Sequence, residues 1–195
     1  MKEYEKILME DRKEQKKQLR KKIKEKIKSL PLEYCRLADE TIARKTMELE
    51  EYQKAQVIFC YVGTDREINT FPILEDILKS GKRLGVPRCI SYGEMEVYEI
   101  ESLRDLETGA YGIMEPKEHC RRIAPEEIDF AILPCLTCTM DGRRLGYGGG
   151  FYDRYLPKMS CQKAVLCRSA LMEEEIPMDE YDVKIDVVIT EGNRK

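Results

Sequence analysis

Apolar runs in this chain are short, and segments of helical periodicity stand between them, which restricts the fold to buried strands alternating with covering helices. The run VIFCYV at Val57–Val62, bounded by Gly63 and the polar TDRE, reads as a buried central strand. Thr70 is placed to cap a helix with Pro72 in its first turn, Ile73, Leu74, Ile77 and Leu78 on one face, and Gly81 at its end. A second strand follows at Arg83–Pro87. The pattern returns with IDFAIL at Ile128–Leu133, a helix after Gly150, KAVLCR at Lys163–Arg168 and IDVVIT at Ile185–Thr190. Strand, helix and strand joined by short connections build parallel sheets. The expected class is therefore α/β, as a single domain over residues 1–195, with Met95–Ile100 and the stretch to Pro125 forming shorter strands and loops.

The longest apolar stretches, Val57–Val62 and Phe130–Leu136, have six or seven residues, against about 20 for a membrane-spanning helix. MKEYEKILMEDRKEQKKQLR contains no apolar run of the kind an export signal needs, so a cytoplasmic location and reduced thiols are expected. The eight cysteines then read as small buried hydrophobes rather than a disulfide scaffold. Cys135-x-x-Cys138 alone has ligand-like spacing, and no second CxxC or CxxH completes a tetrahedral site. The one histidine, His119, lies in the polar EPKEHCRR and has no evident orienting partner.

From Arg12 to Lys28 the chain carries ten Lys or Arg against two Glu, with Leu19, Ile23 and Ile27 on one side of a predicted helix. That is a basic amphipathic helix, which reads either as a solvated face with its apolar stripe docked on the body or as a contact for phosphate or nucleic acid. Pro31 stops it, and a second helix is expected from Glu33 to about Tyr52.

The chemistry concentrates in DGRRLGYGGGFYDRYL at Asp141–Leu156, where Gly146, Gly148, Gly149 and Gly150 fall between a strand and a helix. Such a loop lets backbone amides approach an anion, and the following helix N-terminus would add positive potential. No Gly-Lys-Ser/Thr follows, so it is not a Walker A loop, and it lacks the dinucleotide G-x-G-x-x-G. The flanking Arg143, Arg144, Tyr147, Tyr152 and Asp153 fit a magnesium nucleotide: arginine forks hold phosphate oxygens and a carboxylate holds Mg²⁺.

These residues carry a resemblance to the 5-formyltetrahydrofolate cyclo-ligase family. The pattern R-L-G-x-G-x-G-[FY]-Y-D is met by Arg144, Leu145, Gly146, Gly148, Gly150, Phe151, Tyr152 and Asp153. Lys16, Leu19 and Arg20, the EINT at Glu67–Thr70, Pro87-Arg88, the YGIMEP at Tyr111–Pro116 and the late YDVKID support it. The resemblance implies a three-layer α/β/α domain with a mainly parallel sheet, in the style of sugar-phosphate isomerases and CoA transferases. It implies ATP- and Mg²⁺-dependent closure of 5-formyltetrahydrofolate to 5,10-methenyltetrahydrofolate, a carbon–nitrogen ligase reaction on small molecules, by a chain expected to be a monomer with no nucleic-acid or membrane partner.

By the same resemblance ATP would meet Lys16, Arg20, Arg144, Leu145, Gly146, Tyr147, Gly148, Gly149, Gly150, Phe151 and Tyr152. Folate would meet Val62, Glu67 and the segment Tyr147–Phe151, including Gly148, Gly149 and Gly150. Asp153 and Asp182 would hold Mg²⁺, and Arg144, Asp153 and Glu67 would carry the chemistry. The chain departs from the family's P-G-x-x-F-D in reading Pro134-Cys135-Leu136-Thr137-Cys138-Thr139. Two rivals remain: a sugar-phosphate or acyl-CoA enzyme using the same loop, and a nucleic-acid-binding module using the basic helix.

Overall fold

Pro31 ends the basic helix as expected: α1 runs Lys2–Ser29 in a computed structural model that describes residues 2–192 and, residues 2–8 and 110 apart, their side chains. The single helix expected over 33–52 is instead two, α2 (Leu32–Met47) and α3 (Glu50–Lys54). The break lies at Leu49, which is extended (φ −66°, ψ 136°). That turn buries Tyr52, whose ring meets Phe130 edge-on at 6.5 Å and whose hydroxyl donates to Asp76 at 2.7 Å. A local periodicity cannot foresee such a tertiary anchor.

Next come β1 (Val57–Cys60), α4 (Phe71–Lys79), β2 (Arg83–Ser91) and β3 (Glu94–Ile100). Thr70 does precede α4, but its side chain is no cap: the hydroxyl donates to the Tyr61 carbonyl and accepts from the Gly63 amide, both at 2.9 Å, and so closes the loop after β1. Gly81 ends the α4 turn at φ +75°. Short strands β4 (Leu106–Thr108), β5 (Met114–Pro116) and β6 (Arg121–Ile123) occupy the middle of the chain. Then follow β7 (Phe130–Leu133), the β8 (Thr137–Cys138) and β9 (Arg144–Leu145) hairpin, α5 (Phe151–Tyr155), β10 (Gln162–Leu166) and β11 (Val187–Ile189).

The main sheet has seven strands in the order β11-β10-β7-β1-β2-β3-β6. All pairs from β11 to β2 are parallel, while β2–β3 and β3–β6 are antiparallel. β2 outruns its expected end at Pro87 because β3 returns along it as a hairpin. Alternate residues serve opposite cores. Ile58, Phe130, Ile132 and Leu166 pack beneath α2, α3 and α4 with Ile42, Tyr52, Ile73 and Leu74. Phe59, Ala131, Leu133 and Val165 pack on the other face with Ile23 of α1 and Tyr155 of α5, Leu19 and Ile27 completing the expected stripe. Each buried Ile or Leu in these layers contributes roughly 1.5–3 kcal/mol. The three-layer α/β/α arrangement with a mainly parallel sheet is the one expected.

Candidate active site

β2 lies on one side of β1 and β7 on the other, so sheet growth reverses direction at β1, and the carboxyl ends of β1 and β7 open a crevice. A cavity of about 480 Å³ occupies that edge. Tyr61 and Val62 after β1, Pro134 after β7, and the glycine loop line it, with Met95, Tyr92, Tyr111 and Phe151 as an aromatic and apolar rim. Phe151 and Tyr111 meet edge-on at 6.2 Å. Tyr111 itself holds a left-handed φ of +60°, which presents a 70% exposed ring at the cavity mouth. Flat apolar walls with few polar groups suit an aromatic heterocycle.

The glycine loop leaves β9, whose Arg144 pairs with Cys138 across the hairpin, and enters α5. Gly148 and Gly150 take φ of +102° and +71°, conformations that a side chain would strain. Arg154 fastens the loop, donating to the Gly149 carbonyl at 3.2 Å and to Gly93 in the β2–β3 turn at 3.0 Å. The helix after the loop is a correction to expectation: α5 has five residues, too short for a developed dipole. Positive charge comes from arginines instead.

Arg144 is the central one. Its Nη2 donates to Asp153 Oδ1 at 2.6 Å, Nη1 donates to the Pro134 carbonyl at 3.2 Å, and its guanidinium lies 5.5 Å from the Tyr152 ring centre. Tyr152 in turn stacks on Phe59 of β1 at 6.2 Å. The buried Nε has no hydrogen-bond partner among the described residues. A buried unpaired donor beside an open glycine loop fits an anionic ligand. Leu145, in contrast, is buried in β9 and offers a ligand only its backbone, whose carbonyl already accepts from Leu136.

Glu67 lines the same cavity from the loop after β1, its Oε2 accepting from the amide and hydroxyl of Thr64 at 3.0 Å each. Burial and the Glu67 charge push the Tyr147 phenol well above its ordinary range. Sequence reasoning missed what holds Glu67 in place. Arg168, 4% exposed, binds Asp39 through Nε (2.8 Å) and Nη2 (2.9 Å), and the same guanidinium reaches the carbonyls of Glu67 (2.8 Å) and Arg66 (3.3 Å). Asp39 also accepts from the Asn69 amide at 3.0 Å. Neither residue belongs to a local pattern, and only the packing of α2 against the end of β10 unites them. Glu115 was also missed: it stands in the quoted YGIMEP, is buried, lines the cavity, and accepts from the Cys89 amide at 3.3 Å.

Lys16 and Arg20 do not line the cavity; from α1, Arg20 approaches the glycine loop and Lys16 meets Asp179 and Asp182. Arg20 Nε donates to the Gly146 carbonyl at 2.9 Å, and an added Cβ at Gly148 would touch its guanidinium at 3.4 Å. Burial lowers the Arg20 pKa against the pull of Asp153, Asp182 and Asp179, so these four charges share one neighbourhood. Lys16 bonds both Asp179, at 2.5 Å, and Asp182. Asp153 and Asp182 each use one carboxylate oxygen in protein bonds among the described residues, which leaves the other for a cation. The two aspartates and the glycine cradle thus fit a metal-bound polyphosphate. Lys16 is paired with two aspartates and the apolar stripe of α1 is buried, while Lys17, Lys21, Lys22, Lys24, Lys26 and Lys28 stay exposed.

His119 stays at the surface, 3.4 Å from Asp105 and outside the cavity. The CxxC pair, expected to stand alone, has a third neighbour: the sulfurs of Cys135, Cys138 and Cys167 lie within 4.8 Å of one another. Among the described residues no helix is long and apolar enough to cross a membrane.

Comparison with known proteins agrees with this geometry. The family model described as the 5-formyltetrahydrofolate cyclo-ligase family matches residues 12–191. The chain is 30% identical to the mouse (Mus musculus) 5-formyltetrahydrofolate cyclo-ligase, over 78% of this chain and 81% of that one. It is 28% identical to the Escherichia coli K12 cyclo-ligase, over 76% and 85%. It is similar to the Aquifex aeolicus 5,10-methenyltetrahydrofolate synthetase structure, with a TM-score of 0.81 and 34% identity over 91% of this chain and 90% of that one. The Mycoplasma pneumoniae synthetase, at 24% identity and a TM-score of 0.74 over 91% and 99%, shares the fold.

Proposed function

This chain belongs to the 5-formyltetrahydrofolate cyclo-ligase family, and on that premise we propose that it closes 5-formyltetrahydrofolate to 5,10-methenyltetrahydrofolate at the expense of ATP. The observation that supports this most directly is the single cavity in which Arg144, the glycine loop and Asp153 face an apolar wall carrying Glu67. A sugar-phosphate ligand would account for the loop but not for the aromatic rim beside it; an acyl-CoA enzyme, whose ligand carries an adenine, is separated by having no ATP requirement.

An amide-like formyl oxygen is a poor leaving group. When it accepts the γ-phosphoryl group of ATP, with release of ADP, it becomes a good one, so that N10 attacks the formyl carbon, phosphate departs with the former formyl oxygen, and N10 loses its proton. The chain supplies position and charge, with no protein nucleophile. Arg144 Nε and the loop amides would meet phosphate oxygens, and Arg20 would close over them from α1. Tyr147, Gly148, Gly149 and Phe151 would form the boundary between the nucleotide and the pterin, with Val62 beneath. Glu67, held by Thr64 and Arg168, would stand at the formyl end and take the N10 proton. Asp153 and Asp182 would hold Mg²⁺, which supplies neutralisation of the phosphate charge when bound. On this reading residues 1–195 act as one catalytic domain, a monomer in the cytoplasm working on small molecules.

An absorbance assay for methenyltetrahydrofolate, run with MgATP, without ATP and with EDTA, tests the proposal. Product that needs both ATP and metal is expected. Folded protein that binds ATP yet makes no product would redirect attention to another acceptor, through the altered Cys135–Thr139 segment.

A further inference from the structure

β7 and β10 are parallel neighbours in which Leu133 stands opposite Val165. Two residues further along each strand direction come Cys135 and Cys167. The β8 strand then folds back and brings Cys138 onto the same side, in the core layer that also holds Leu133 and Val165. Three sulfurs from two distant stretches therefore converge within 4.8 Å of one another. Cys138 and Cys167 are buried, and Cys135 is partly exposed, its Sγ donating to the Leu166 carbonyl at 3.3 Å. Among the described residues this is the only grouping of three potential metal ligands.

We propose that Cys135, Cys138 and Cys167 form a three-thiolate binding site for a thiophilic d10 cation such as Zn²⁺. Thiolate sulfurs select soft ions. A metal–sulfur distance of about 2.3 Å places three ligand sulfurs roughly 4 Å apart around one ion, so small side-chain rotations from the present arrangement suffice. Three protein donors leave a further coordination position for solvent. Binding would release the thiol protons to water, and three thiolates with a divalent ion carry one net negative charge, which the guanidinium of Arg144, cross-strand partner of Cys138, partly offsets. A disulfide would use two of the sulfurs and leave the third idle; a metal uses all three. The site lies behind the cavity wall formed by Pro134 and Arg144, separate from Asp153 and Asp182, and does not depend on the folate reading.

The test uses the full chain, reduced and stripped of metal, titrated with Cd²⁺ alone while the ultraviolet sulfur-to-cadmium charge-transfer band is recorded. One equivalent of Cd²⁺ should saturate the band, and prior loading with Zn²⁺ should shift the titration to higher Cd²⁺ as the two ions compete for the same thiolates. Cys138→Ser and Cys167→Ser should weaken binding more than about 100-fold, beyond the loss typical of removing an outer-sphere partner, whereas Cys161→Ser should leave it unchanged. Because the two buried variants could misfold, Cys135→Ser provides the partly exposed counterpart, with circular dichroism as the check on folding. Mass-spectrometric mapping of alkylated wild-type protein should show Cd²⁺ protecting Cys135, Cys138 and Cys167 together. A band that does not saturate at one equivalent, binding that survives in all three variants, or metal-free protein in which two of the three are joined as a disulfide would overturn the proposal.

Discussion

Arg144 shows how a single residue acquires its role from several constraints at once. One fork of its guanidinium meets Asp153, another meets Pro134, and the buried Nε is left over. Lysine keeps the charge but has no planar fork. Arg144→Lys should therefore lower kcat by about 10²–10³-fold, the scale for losing one oriented donor at developing charge, with little change in far-ultraviolet circular dichroism. Asp153→Asn should raise the Mg²⁺ concentration needed for half-maximal turnover; an unaltered magnesium titration would remove Asp153 from the metal site. At Gly150 the backbone itself is at stake. With φ +71° and an added Cβ only 2.6 Å from Arg154 Nη1, Gly150→Ala should cost about 1–2 kcal/mol for the left-handed conformation, read as a lower denaturant midpoint, and should loosen the Arg154 clamp as well.

Elements decide which ligand each residue serves. α1 lies across the glycine loop through the Arg20–Gly146 bond, so Arg20→Ala should raise the KM for ATP several-fold more than the KM for folate; equal increases would point to a general folding defect. Arg168 works through the loop after β1. Its pair with Asp39 is buried, and truncating one partner strands the other charge, at a cost of about 3–5 kcal/mol. Arg168→Met should thus destabilise the chain, while Arg168→Lys should fold better yet still raise the KM for folate, because one ammonium cannot hold Asp39 and the carbonyls of Arg66 and Glu67 together. β1, β7, β10, β11 and α4 were legible from sequence because their apolar periods agree with their burial. The split between α2 and α3, the hairpin extension of β2, and the side-chain role of Thr70 were not, since each answers to a partner remote in sequence.

At the scale of the whole molecule, α1 is tied to the late loop by Lys16 with Asp179 and Asp182. Burial works against the Asp179 carboxylate, but the bond from Lys16, the Tyr181 amide and the charges of Lys16 and Arg12 hold its pKa below the ordinary 3.8. A carboxylate depressed in the folded state adds stability that is fully present above its unfolded value and is lost as pH falls through the folded one. Urea midpoints should therefore be level near neutrality and decline as the pH drops below about 3.8, the unfolded reference. Lys16→Met should begin lower at pH 7 and decline less steeply, since the pair that links α1 to the loop is already broken.

The α/β class, the positions of the main strands along the chain, the apolar stripe of α1 and the location of the glycine loop were determined by the sequence alone, because each depends on periodicity or on residue types within one short segment. The family followed from the contiguous Arg144–Asp153 pattern for the same reason. Only the tertiary structure decided that Lys16 is spoken for by two aspartates, that Arg168 and Asp39 fix the loop bearing Glu67, that Glu115 enters the cavity, and that Cys167 joins the CxxC pair. Those outcomes depend on strand register and on which chain ends meet at one edge of the sheet, and such juxtapositions are set by packing between segments that share no local pattern.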